Sequence, residues 1–87
     1  MLFELNTAAI CSVVSDALKT ATGKPRLSCE VTANSQMGNP KEWDSLSFVA
    51  VFAAIGEAFD VELEDDDAYH FQSISGIEGF LKEVLGL

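Results

Sequence analysis

The stretch WDSLSFVAVFAAIGEAFDVELEDDDAYHFQSISGIEGFLKEVL, residues Trp43 to Leu85, opens with a hydroxyl directly before an apolar, proline-free run. Within that run Phe48, Val51, Phe52, Ile55 and Phe59 recur at three- and four-residue intervals, which predicts a helix from about Ser45 to Ala58 with a broad buried stripe. A serine at that junction can cap the helix and still present its oxygen to solvent, where the positive helix end favours a phosphate ester. Alone, Asp44-Ser45-Leu46 is an ordinary cap signal. An acidic loop follows from Asp60 to Asp67, with Val61 and Leu63 as apolar anchors, then a short helix near Asp66 to His70 docking through Tyr69 or Phe71. Ser73 or Ser75 caps the last helix, Ser75-Gly76-Ile77-Glu78 fits a capping box, and Ile74, Ile77, Phe80, Leu81, Val84 and Leu85 mark its buried face.

Towards the amino end, Asn6 is a good cap for a first helix, and Leu5 is placed to pack back on its first turns. Ile10, Val13, Val14, Ala17 and Leu18 repeat with helical spacing, and Gly23-Lys24-Pro25 ends the helix. The connection from about Ala21 to Asp44 has no sustained period, and Leu27, Val31 and Met37 are its natural anchors to a core. A structureless connection of that length inside a small domain implies function or a mistaken assignment. The expectation is one domain spanning residues 1–87, an all-α bundle of three main helices and one short helix.

Composition narrows the function. The 87 residues carry a formal charge of −9, with Lys19, Lys24, Arg26, Lys41 and Lys82 as the only cations, which disfavours nucleic acid and anionic membranes as partners. No run is long enough to span a bilayer, and MLFEL lacks the features of a secretory signal, so a cytoplasmic protein is expected. Cys11 and Cys29 form no CxxC pattern and are expected to stay reduced. No catalytic residue is assigned: Ser45 is not in a G-x-S-x-G elbow, and the single histidine, His70, has nothing in the sequence pairing it with Ser45. No metal site is assigned either. A calcium loop starting at Asp60 would need Gly at its sixth position and Glu at its twelfth, where the chain has Asp65 and Phe71.

In order, the Asp44-Ser45-Leu46 motif, Phe59 closing the next helix, the acidic loop and the final amphipathic helix resemble the C-terminal half of an acyl carrier protein. The long first connection agrees with the family layout in general terms. The resemblance implies an acyl-carrier-like four-helix bundle whose Ser45 bears a covalent 4'-phosphopantetheine arm, making the chain a phosphoprotein. In family terms a phosphopantetheinyl transferase attaches the arm from coenzyme A, and its thiol holds acyl groups as thioesters, as in lipid or fatty acid biosynthesis. Asp44 would serve transferase recognition and Leu46 packing or partner contact. The chain would act as a monomer, not as an enzyme, presenting cargo to acyl-loading and acyl-transfer enzymes.

Departures from the family pattern concern partners. Many fatty-acid carriers have Gly two residues before the Asp and several acids along the second helix; here the surroundings read Glu42-Trp43 and Ser47, Ala50, Ala53, Gly56, leaving Glu57 as that helix's only acid. The expected partner surface is Trp43, Val49, Ala53 and Glu57, with Trp43 read either as an exposed aromatic contact or as a loop plug. Two other functions share the residues: a peptidyl or aminoacyl carrier using the same arm, and an unmodified carrier-like interaction adaptor. A small serine hydrolase is a distant third.

Overall fold

The computed structural model describes residues 6–86. Its elements are α1 (Thr7–Thr22), α2 (Phe48–Ala58), a short 3-10 helix (Asp65–Gln72) and α3 (Ile74–Leu85), with no strand among the described residues. This is the all-α, acyl-carrier-like bundle expected of the sequence, three main helices and one short one. Asn6 caps α1 by accepting the Ala9 N–H at 2.7 Å, and Gly23 closes it at a φ of 70°, a conformation glycine adopts without strain. Ile10, Val13, Val14, Ala17 and Leu18 are all buried, as their spacing requires. The packing expected of Leu5 lies outside the described residues.

The long connection is ordered by specific bonds despite lacking a period. Val31 and Trp43 are buried, and Leu27 and Met37 pack half-buried against the core. The Met37 N–H donates to the Gln72 carbonyl at 2.8 Å and the Ile74 N–H to the Ser35 carbonyl at 3.0 Å, fastening the connection to the junction before α3. Trp43 is completely buried, so it is a loop plug and not the exposed partner contact that the sequence also allowed.

Glu42 provides the connection's polar latch. Its buried carboxylate accepts the Ser28 hydroxyl at 2.7 Å, the Ser28 N–H at 3.0 Å and the Lys24 ammonium at 3.1 Å. The Ser28 hydroxyl foremost, with its amide and Lys24, outweighs burial and lowers the Glu42 pKa from the ordinary 4.5 to about 2. Because the folded value lies below the unfolded one, this stabilisation is complete above about pH 4.5 and is lost as pH falls towards 2. Thermal melts of Glu42→Gln are therefore expected to show a shallower loss of stability over that window; an unchanged profile would remove Glu42 from the latch.

Three details of the carboxyl half differ from expectation. The 3-10 helix runs from Asp65 to Gln72, longer than Asp66 to His70, with Glu64 and Asp67 capping its start and a kink at Phe71 near its end, and it docks through the buried Phe71 while Tyr69 stays 68% exposed. Ser73 caps α3 by accepting the Gly76 N–H at 3.0 Å, so the box at Ser75 does not form; Glu78 instead accepts from the Thr7 hydroxyl and from Lys82 at 3.1 Å. Ile74, Ile77, Phe80 and Leu81 are buried, whereas Val84 is 50% exposed and Leu85 half-buried. Val84 lies on the correct angular face, but the last turn extends past the core. Gly76 is needed for close approach: a Cβ there would sit 2.6 Å from the His70 carbonyl oxygen.

On α2, Val51, Ile55 and Ala58 face the core, and Phe59 just beyond the helix is buried with them. Phe48 and Phe52 are only half-buried. Phe52 meets the buried Phe71 edge-on at 4.9 Å, so the stripe's aromatic edge lies over the 3-10 helix and part of it reaches solvent.

Candidate functional site at the start of α2

Asp44 and Ser47 build the entrance to α2. The Asp44 Oδ1 accepts the N–H groups of Leu46 at 2.9 Å and Ser47 at 3.0 Å, while the Ser47 Oγ accepts the Asp44 N–H at 2.9 Å. This is a reciprocal capping box. The buried Ser47 hydroxyl also donates to the Glu42 carbonyl at 2.6 Å, joining the helix start to the latched connection. The Phe48 N–H bonds the Asp44 carbonyl at 2.8 Å, so the turn leads directly into regular helix at Phe48.

These bonds correct two expectations about Ser45. Regular α2 begins at Phe48, three residues later than about Ser45, with Ser47 in the cap position, and the side chain that accepts the amides of the turn is that of Asp44. Ser45 is exposed in the turn, and its hydroxyl makes no hydrogen bond among the described residues. The Ser47 and Leu46 amides lower the Asp44 pKa, keeping the carboxylate ionised beside Ser45. Since that carboxylate already occupies those amides, a phosphate ester on Ser45 would not be cradled by them.

The other expected site residues separate clearly. Leu46, 87% exposed, and Val49, 66% exposed, continue through exposed Ala53 and Glu57 as one line down the solvent side of α2. Trp43 is fully buried and is not part of this line. His70 stacks between Tyr69 at 4.0 Å and Phe80 at 5.0 Å and makes no bond to Ser45. Among the described residues no group of three or more His, Cys, Asp or Glu side chains could hold a metal ion, and no helix is long and apolar enough to cross a membrane. Sequence reasoning missed Ser47, although Asp-x-x-Ser is a capping box with Ser in the place usually taken by Glu or Gln.

A protein of Prochlorococcus marinus (strain MIT 9515) named acyl carrier protein is 31% identical to this chain over 77 residues, 88% of this chain and 89% of the relative. The chain belongs to the acyl carrier protein family. No family model matches the chain, and no solved structure matches it significantly. The relative's coverage takes in most of the bundle, so the family resemblance is not confined to the carboxyl half from which the sequence argument began.

Proposed function

We propose that this protein is an acyl carrier that holds acyl groups on a 4'-phosphopantetheine arm esterified to Ser45. The observation that carries the reading is the Ser45 hydroxyl, exposed and unbonded among the described residues because Asp44 and Ser47 close the turn without it. When bound, the arm supplies a thiol that holds cargo as a thioester. The chain's own residues position that arm: Asp44 and Ser47 fix the turn, the Glu42 latch and buried Trp43 hold the segment before it, and exposed Leu46 flanks it. Catalysis belongs to partners, a phosphopantetheinyl transferase and the acyl-loading and acyl-transfer enzymes of a cytoplasmic pathway. Cys11 and Cys29 are both free, so the unmodified chain holds two thiols. After incubation with coenzyme A and a transferase, thiol titration of the denatured protein is expected to find one more per chain; an unchanged count would refute the reading.

The line Leu46, Val49, Ala53 and Glu57 is the proposed partner face. With one acid on this line, docking depends on apolar contact more than on charge, and salt weakens exposed charge pairs far more than packing. Raising salt should leave most of the affinity for a dedicated loading enzyme intact. Val49→Glu should weaken it about tenfold or more, since it sets an unpaired charge against an apolar surface. Titration at low and high salt checks both; steep salt loss with no effect of Val49→Glu would move recognition to Glu57 and the acidic loop.

A further inference from the structure

Aromatic rings form a continuous series from α2 to α3. Phe48 and Phe52 stack at 6.1 Å with 21° between planes, Phe52 meets Phe71 edge-on at 4.9 Å, and Phe71 meets Phe80 edge-on at 5.5 Å. His70 and Tyr69 extend the series outwards from Phe80. Phe71 and Phe80 are buried, whereas Phe48 and Phe52 keep part of their surface in solvent. Those two stand at i+3 and i+7 from Ser45, on one stripe of the helix. Helical side chains lean towards the amino end, so the Phe48 ring tilts towards the turn that presents Ser45.

From this juxtaposition we infer that the cargo is an aryl acyl group, which packs against the half-exposed rings of Phe48 and Phe52. The inference rests on Ser45 carrying the arm. A linear saturated chain entering between α2 and α3 along this series would have to part Phe52 from Phe71 and Phe71 from Phe80, which are in edge-to-face contact. A flat ring laid on the half-exposed Phe48 and Phe52 need part nothing, and it gains quadrupole complementarity in addition to apolar area. The rings lie roughly 5 to 10 Å along the helix axis from Ser45, within the sweep of a flexible tether. Tethering gives an effective concentration on the order of millimolar, so a ring contact with a dissociation constant of about a millimolar is already half populated.

The test loads the arm in parallel with a cinnamoyl and a nonanoyl group, which have equal carbon counts. Hydroxylamine cleavage of each thioester is measured relative to the same acyl group on free pantetheine, and proton NMR follows the Phe48 and Phe52 ring resonances. The cinnamoyl thioester is expected to be cleaved roughly threefold to tenfold more slowly on the carrier and to shift both ring resonances. Phe48→Leu, at a half-buried position where the fold tolerates the change, should remove most of that protection; circular dichroism checks the fold, and Phe52→Leu provides an independent second variant. Nonanoyl should show little of either effect. Equal or greater protection of nonanoyl, or cinnamoyl protection that survives both variants without ring shifts, would overturn the cargo assignment while leaving the carrier reading intact. A chain that accepts no arm at Ser45 would overturn both.

Discussion

Trp43→Ala is expected to lower stability by about 3–5 kcal/mol, a large share of the 5–15 kcal/mol typical of a small domain. Trp43 is the largest of the fully buried side chains, and it stands between the Glu42 latch and the Asp44 cap. Its own backbone fixes the loop as well: its N–H donates to the Pro40 carbonyl at 3.0 Å and its carbonyl accepts the Gly38 N–H at 2.8 Å. Removing the ring leaves a cavity that this hydrogen-bonded frame can only partly close. Trp43→Phe separates ring burial from polar loss. Among the described residues the buried indole N–H has no partner, so a phenyl ring forfeits area but none of their hydrogen bonds and should cost much less than alanine. Urea melts of both variants check this; a cost below about 1 kcal/mol for Trp43→Ala would mean that the connection is held without its plug.

Helical periodicity carried most of the fold. The α1 stripe from Ile10 to Leu18 and the buried residues Ile74, Ile77, Phe80 and Leu81 of α3 are where their spacing places them, because burial of one helix face follows directly from apolar period. Competing hydrogen bonds were harder to read. Ser73 and Ser75 are equally good caps by residue type, and the outcome depended on Glu78, which serves Thr7 and Lys82 instead of returning to the backbone. The same ambiguity governed the site. Asp44, Ser45 and Ser47 are all capping types; a linear reading favoured the serine of the Asp44-Ser45-Leu46 motif, whereas the structure couples Asp44 to Ser47 and leaves Ser45 outside the box. The Glu42 latch was not legible, since its partners Lys24 and Ser28 lie far back in a connection with no period.

Removing the hydroxyl of Ser45 is therefore expected to be silent for the fold and decisive for function. In Ser45→Ala no hydrogen bond among the described residues is lost and the position is exposed, so melts should stay within about 0.5 kcal/mol of the parent protein. Had Ser45 been the cap, the loss would have been about 1 kcal/mol. Arm attachment should fall to zero, because Ser47, the nearest other hydroxyl, is buried and bonded to the Glu42 carbonyl. Intact mass with peptide mapping, after incubation with coenzyme A and a phosphopantetheinyl transferase, tests the central claim most directly. One phosphopantetheine on the peptide holding Ser45, and none on Ser45→Ala, is the predicted result; an unmodified parent protein, or full modification of Ser45→Ala, would contradict it.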